Sequence, residues 1–204
     1  MYVKADGRKF NFNEDFYLNG LLSTNGEVSL PTVFAGYGID ADLYNNYKDL
    51  DVTGKAVVIL EGEPQDGKGK YLVNDNDQKS SWSGPQAWQK KSAAALAKGA
   101  TYVFMVSEKK GKEFEQLVKQ RAIMAKRMSG MSMKPVEESL SNRSVFTVSE
   151  EVGAALLRTT PKKMKGLQEQ MNKSAQLAAK APMGTLTLKV ERQTDTIHTE
   201  NVAA

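Results

Sequence analysis

Two apolar runs rich in β-branched residues, separated by a glycine-containing turn, constrain the fold of this chain more than any other feature. The first run is Val33-Phe34-Ala35 and the second is Ala56-Val57-Val58-Ile59-Leu60. β-branched side chains favour an extended backbone, and Gly36 and Gly38 can adopt the positive φ angles of a tight turn. The pattern predicts two strands with a turn and a polar segment between them. It contains no catalytic group.

The remaining patterns predict a mixed α and β organisation, with a β-rich first half and a helix-rich second half. Helices are expected where proline or a hydroxyl residue precedes apolar positions at helical spacing. Helices are predicted from Pro85 to just before Gly99, over 112 to 128, after Ser149 and from Pro161. Strands are predicted over 101 to 107, 144 to 148 and 184 to 190. Loops are predicted over 61 to 84 and 130 to 142. A stripe of Met124, Met128 and Met131 is expected to pack in the core rather than to form a deformable recognition surface.

Composition limits the class of protein. With 204 residues, 40% of them hydrophobic, the chain can bury a sizeable core. No apolar run approaches the roughly 20 residues that a membrane span needs. Residues 1 to 10 are too polar for a secretory signal. The absence of cysteine excludes disulfides and thiolate chemistry.

The net charge of +4 is concentrated in one part of the chain. Residues 107 to 180 carry 15 lysines and arginines against 8 acidic residues. A basic segment can serve nucleic acid, an anionic membrane surface or an acidic partner. Acidic residues interleave throughout, and no aromatic stacking pattern accompanies the charges, so a solvated surface is favoured over a nucleic-acid interface.

The residue types of the common catalytic sites are missing. His198 is the single histidine, and the motifs of zinc hydrolases, serine nucleophiles and phosphate-binding loops are absent. Asp75 and Asp77 offer oxygens to calcium, but Lys79 stands where such a loop needs an oxygen ligand. We therefore assign no catalytic, cofactor-binding or metal-binding residue and expect no enzymatic activity from this chain alone.

The order of several short motifs resembles the protease-associated domain. The motifs are Phe34-x-Gly36-Tyr37-Gly38-Ile39, the run from Tyr44 to Lys55, the helix that ends in Gly99-Ala100 and the strand from Tyr102 to Val106. More particularly, the order is similar to the insert found in secreted zinc aminopeptidases of the transferrin-receptor and glutamate-carboxypeptidase superfamily. In that comparison the following residues have structural roles: Gly36, Tyr37, Gly38, Gly54, Lys55, Gly99 and Ala100.

The resemblance implies a swivelling β/β/α fold, in which a β-sandwich or open barrel is flanked by helices. It implies one domain over residues 1 to 204, with an arm over 1–30, a core over 31–160, and a helix and return strand over 161–204 that lead toward an absent peptidase domain. An inserted domain leaves and re-enters its host through neighbouring strands, so residues 1 to 30 and 185 to 204 are expected to lie near each other.

The implied function is that of a non-catalytic part of a zinc-dependent aminopeptidase, which is a hydrolase, with a role in substrate access or protein contacts. Zinc is expected only in the missing peptidase domain. The expected partners are that peptidase domain and a peptide or protein substrate, and the implied location is secreted or periplasmic.

The loop from 61 to 84 is the candidate substrate or partner surface. Its candidate contacts are Tyr71, Asp75, Asp77 and Trp82. An aromatic residue beside glycines in a long loop can act as a lid or an anchor, and Trp82 could equally be buried as packing.

Three alternatives to the accessory domain remain open. The chain could be a free-standing interaction module. It could be an enzyme that acts through Asp40, Asp49 and Asp51, or a binder of nucleic acid or an anionic surface through residues 107 to 173. A steep salt dependence of binding would distinguish the last of these.

Overall fold

The predicted apolar strands lie at the centre of an eight-stranded sheet in the computed structural model of the protein. The structure describes residues 1–19, 25–128, 145–176 and 181–191. The strands are β1 (Tyr2–Ala5), β2 (Arg8–Asn11), β3 (Phe16–Asn19), β4 (Gly26–Phe34), β5 (Ala56–Leu60), β6 (Tyr102–Val106), β7 (Val145–Val148) and β8 (Met183–Val190). The helices are α1 (Ala87–Ala97), α2 (Gly111–Met128), α3 (Glu150–Leu156) and α4 (Pro161–Met171).

The sheet has the strand order β2-β1-β8-β4-β5-β6-β7-β3. Strands β4 to β7 are parallel neighbours, and the remaining pairs are antiparallel. β8 lies between β1 and β4, with Tyr2 opposite Lys189 and Val28 opposite Leu188. The expected proximity of residues 1 to 30 to the return strand is therefore confirmed for the described part of that strand.

The two outer strands of the order, β2 and β3, come close together. They are consecutive in the chain, and a bridge joins Phe12, just after β2, to Phe16 on β3. The ring centroids of Phe12 and Phe16 are 5.7 Å apart. The sheet is thus nearly closed into a barrel, which confirms a mixed α/β class with a barrel-like sheet and flanking helices. The more specific assignment to a swivelling protease-associated domain stays a prediction.

The hydrophobic core occupies both faces of the parallel strands. On one face the rings of Phe104 and Phe146 stack with their centroids 4.9 Å apart, in a cluster that includes Leu156 of α3. On the other face Ala95 of α1 packs in a cluster with Val57. Full burial of a large apolar side chain contributes roughly 1.5 to 3 kcal/mol, so these layers hold the helices on the sheet.

The predicted helix starts are largely confirmed. Ser149 caps α3 by accepting a hydrogen bond from the backbone nitrogen of Val152, and Thr160 caps α4 in the same way through Lys163, both at 3.3 Å. The start of α1 was predicted two residues early, because Pro85 precedes the N-cap residue Gln86 rather than following it.

The expectation that the methionine stripe packs in the core is wrong for Met124, whose side chain is 52% exposed. α2 buries Phe114 and Val118, and Met124 lies off that face. The side chains of Met128 and Met131, the loop over 130 to 142 and His198 lie outside the described residues.

The two glycines after β4 make a turn that another residue would strain. Gly36 has φ +53° and Gly38 has φ +67°. A Cβ atom on Gly36 would lie 2.6 Å from Nδ2 of Asn46 and 2.7 Å from Sδ of Met171, and a Cβ on Gly38 would lie 2.8 Å from Cγ2 of Ile59. The turn therefore requires glycine for both its backbone angles and its close approach to side chains.

Substituting Gly36→Ala is expected to lower the free energy of unfolding by about 2 kcal/mol or more, because it adds left-handed strain to a clash with Asn46 and Met171. Urea denaturation measures the change. Gly67→Ala is the matched control, since a Cβ there meets nothing within 4 Å, and it should change stability by less than about 0.5 kcal/mol. Equal effects of the two substitutions would contradict this explanation of the turn.

Candidate functional site at the carboxyl ends of the parallel strands

Glutamates follow three neighbouring parallel strands at one edge of the sheet. Glu61 and Glu63 come after β5, Glu108 comes after β6, and Glu150 comes after β7. In both open and barrel-shaped α/β folds, ligands bind outside the carboxyl ends of the parallel strands. This edge is therefore the candidate functional site. We call Glu61, Glu63 and Glu108, with Lys91 of α1 and Tyr37 after β4, the carboxyl-edge cluster.

Lys91 is the most unusual member of the cluster because it is fully buried, with 0% exposure. Its Nζ donates a hydrogen bond to the carbonyl oxygen of Leu60 at 2.9 Å and another to the carbonyl oxygen of Gly62. The Nζ atom also lies 5.6 Å from the centroid of the Tyr37 ring. No described carboxylate forms an ion pair with it. Lys91 thus joins α1 to the backbone where β5 ends.

The environment of Lys91 disfavours its charged form. Burial lowers the pKa of the Lys91 amine to about 7, and the negative charges of Glu61, Glu108 and Glu63 oppose that shift. Near neutral pH the amine is therefore divided between its charged and neutral forms. Lysines with strongly shifted pKa values are concentrated at functional sites.

Glu61 holds the ends of β5 and β6 together. Its Oε2 accepts hydrogen bonds from Oγ of Ser107 at 3.0 Å and from the backbone nitrogen of Glu108 at 2.9 Å. The carboxylate of Glu108 in turn packs against Gly62, where any Cβ atom would collide with it. These contacts place both glutamates at the sheet edge.

Tyr37 closes the site from the side of α4. The side chain is 2% exposed, and its hydroxyl donates to Oδ1 of Asn172 at 2.7 Å while accepting from Nε2 of Gln168 at 3.3 Å. Burial raises the pKa of the Tyr37 hydroxyl, and the hydrogen bonds from Gln168 and to Asn172 oppose that effect. The hydroxyl is therefore a neutral, fully engaged group that positions α4 against the turn after β4.

Two small cavities open at this edge. One, of about 220 Å³, has Glu61, Glu108 and Gln168 in its wall, and the ion pair between Lys110 and Glu150, 2.9 Å long, contributes to its lining. The other, of about 160 Å³, lies on the side of Lys91 and is lined in part by Ser83, Trp88 and Arg121. The cavities offer carboxylate, amine and guanidinium groups to a charged or polar ligand.

The described part of the chain contains no group of three or more His, Cys, Asp and Glu placed to hold a metal ion.

A larger cavity, of about 560 Å³, lies away from the cluster between β4 and the end of α4. Its wall includes Gln176 and Ala181, which flank residues 177–180 outside the described part. No helix among the described residues has the length and apolar character that crossing a membrane requires.

The four candidate contacts in the 61 to 84 loop differ in their burial and in their partners. Trp82 is 7% exposed and belongs to the main core cluster, which matches the packing alternative. Tyr71 is half-buried and pairs with Gln65 and Asn76. Asp75 and Asp77 are exposed, and Asp75 forms a 2.8 Å ion pair with Lys70. Contact of this loop with a substrate or partner stays a prediction.

The other family-motif residues lie at the opposite edge of the sheet. The backbone nitrogen of Gly54 donates to the carbonyl oxygen of Gly99 at 2.9 Å, which joins the segments that enter β5 and β6. Lys55 forms a 2.6 Å ion pair with Asp51, and Ala100 is fully buried. These positions serve turns and packing.

The acidic residues of the alternative enzyme hypothesis are not brought together as a reactive group. Asp40 pairs with Lys98 at 2.8 Å, and Asp51 pairs with Lys55. Asp49 has φ +60°, so the segment is not the extended strand that would point Asp49 and Asp51 the same way.

Sequence reasoning did not single out Lys91 as a functional residue. One signal was present, because Lys91 lies three residues after Trp88 and four before Ala95, and therefore on the same face of α1 as these two apolar residues. A lysine on the apolar face of a helix usually extends its amine to solvent. The backbone carbonyls that keep this amine inside are 31 and 29 residues away in the sequence.

Comparison with known proteins gives matches only among solved structures, since no family model and no curated protein matches the chain. An aminopeptidase from Aneurinibacillus sp. strain AM-1 matches at 14% identity and a TM-score of 0.44, covering 93% of this chain and 30% of that one. BSAP, a zinc aminopeptidase from Bacillus subtilis, matches at 17% identity and a TM-score of 0.41, covering 92% and 29%. The chain thus spans about 30% of the length of these proteins.

The stability of the protein is expected to rise with pH between about 7 and 9. The pKa of Lys91 is lower in the folded chain, about 7, than the value of about 10.4 in an unfolded one. In this range the unfolded state binds more protons, so the free energy of unfolding increases by up to about 1.4 kcal/mol per pH unit. Urea denaturation at pH 7, 8 and 9 measures the slope.

The variant Lys91→Met should lose this slope, whereas Lys112→Met, a change on the exposed side of α2, should keep it. A slope that survives in Lys91→Met would show that another group causes the pH dependence.

Proposed function

We propose that this chain is a non-catalytic accessory domain of a zinc-dependent aminopeptidase. The observation that carries the proposal is the antiparallel pairing of β1 with β8, in which Tyr2 is opposite Lys189. An inserted domain needs its entering and leaving segments side by side. β1 and β8 are neighbouring strands that run in opposite directions. The order of the protease-associated motifs along the sequence supports the same conclusion.

The positions of the motif residues support a scaffold role. Gly36 and Gly38 shape a tight turn, and Gly54 and Gly99 join two loops. None of them presents a reactive group, so the motif describes a framework rather than a catalytic site. In this proposal hydrolysis and zinc binding belong to a peptidase domain elsewhere in the parent protein, which is secreted or periplasmic.

The proposed role of the domain is to shape the access of peptides to the peptidase cleft, or to contact a protein substrate. The carboxyl edge suits that role because it combines the exposed Glu108 and Lys110 with two cavities beside the 61 to 84 loop. Charged groups of both signs around a concave surface can orient a peptide, which carries both signs at its termini.

The reading frame of the source gene beyond the codon of Ala204 tests the proposal directly. We expect it to continue with a His-x-Asp pair, adjacent glutamates and later Asp and His ligands, which together make a zinc peptidase site. The 204-residue chain alone should hydrolyse no aminoacyl anilide and bind no stoichiometric zinc. In the full-length protein, deletion of this domain should raise KM for long peptides more than for an aminoacyl anilide.

A stop codon directly after Ala204, or peptidase activity in the isolated chain, would contradict the proposal. A stop codon would favour the free-standing interaction module. Equal changes in KM for long and short substrates would remove the access role and leave the protein-contact role.

A further inference from the structure

Helix α1 holds both ends of the 61 to 84 loop. Lys91 holds the start through the carbonyl oxygens of Leu60 and Gly62. Lys90 holds the end, because its Nζ donates to Oγ of Ser81 at 2.6 Å and lies 4.3 Å from the centroid of the Trp82 ring. Two adjacent lysines therefore fix a segment of 24 residues at its two ends.

A buried carboxylate joins the two ends to each other. Glu63, at 8% exposure, accepts hydrogen bonds from the backbone nitrogen of Ser80 and from Oγ of Ser83, each at 2.8 Å, and also from Oγ of Ser80. We call Glu63, Ser80, Ser83, Lys90 and Lys91 the loop base. The base closes the loop into a compact unit whose ends meet beside the N-terminal part of α1.

Glu61 stays bonded to the end of β6, through its backbone nitrogen to Val106 and through its carboxylate to the residues that follow. Beyond Glu61 and the base, the hydrogen bonds of the loop are mainly its own. Oδ1 of Asp66 accepts from the backbone nitrogens of Lys68 and Lys70, both at 2.8 Å, and the nitrogen of Tyr71 donates to the carbonyl oxygen of Asn76 at 2.7 Å. Within the loop, Val73 and Trp82 belong to the core cluster and Leu72 packs against it. A segment with internal bonds and few core contacts can move as one body when its base opens.

We propose that the 61 to 84 loop is a lid that opens as one unit about the loop base, with Lys91 as the latch whose charge sets how often it opens. The lid would uncover the indole of Trp82 and the cavity of about 160 Å³ that Lys91 lines. This proposal does not depend on a peptidase origin of the chain.

The direction of the effect follows from where Lys91 lies in each state. In the closed state burial lowers the pKa of its amine to about 7, and in an open, hydrated state the value returns to about 10.4. Between these values the open state binds the extra proton, so each unit of falling pH raises the open fraction about tenfold. Below about pH 7 both states are protonated and the open fraction no longer changes.

The charged and titratable groups that face Lys91 come from every neighbouring element. Glu61 and Glu63 belong to the loop, Glu108 follows β6, and Tyr37 follows β4. Across the cavity lie Tyr17 of β3 and Arg121 of α2. The three carboxylates favour the ammonium form, and burial outweighs them.

Hydrogen exchange of the whole 204-residue protein at pH 7, 8 and 9, read by mass spectrometry as protection factors, tests the lid. We expect peptides from 61 to 84 to be less protected than those from β5 and β6, with loop protection rising about tenfold per pH unit. In Lys91→Met the loop protection should not vary with pH. In the control Lys112→Met it should behave as in the unsubstituted protein.

A second variant keeps the test decisive if Lys91→Met does not fold. Ser83→Ala removes one hydrogen bond from the loop base, so loop protection should fall about fivefold to tenfold at every pH while its slope remains. Loop protection equal to that of β5, or independent of pH in the unsubstituted protein, would overturn the lid. Neither result would bear on the gene-level test of the accessory-domain proposal.

Discussion

The insertion of β8 between β1 and β4 is the constraint on which the rest of the sheet depends. β8 pairs with β4 over eight residues, and the β1–β2 hairpin reaches the parallel strands through it. Leu186, Leu188 and Val190 alternate into the core, so a shift of one residue in this pairing would expose all three. The register is thus fixed by burial, although paired residues 150 to 164 positions apart in the sequence must meet before it can form.

The two ends of the parallel strands differ in the chemical groups that the fold places there. At the edge where β5 and β6 begin, Gly54 and Gly99 bring two loops together through backbone hydrogen bonds. At the other edge the fold accepts a buried amine and several glutamates, with Lys91 held by carbonyl oxygens rather than by a carboxylate. Burying an ionisable group in this way is costly. Backbone hydrogen bonds join neighbouring segments at both edges, whereas the cost of a buried amine falls at the carboxyl edge.

Much of the central fold could be predicted because its signals are local. The apolar runs of β5 and β6, the turn at Gly36 and the caps at Ser149 and Thr160 each depend on a few adjacent residues. The first three strands were predicted only as an arm over 1–30, because each has four residues and is recognisable mainly after it pairs with another strand. The site was not predictable from local pattern, since the burial of Lys91 depends on carbonyl groups brought to it by tertiary packing.

The near closure of the sheet limits the way in which another molecule can bind. In the described part of the chain, β2 and β3 are the outer strands of the sheet, each four residues long, and the Phe12–Phe16 bridge brings them together. A peptide cannot easily extend the sheet at β2 or β3, because strand addition needs a long exposed edge. The same short, adjoining outer strands also disfavour edge-to-edge aggregation through β2 and β3.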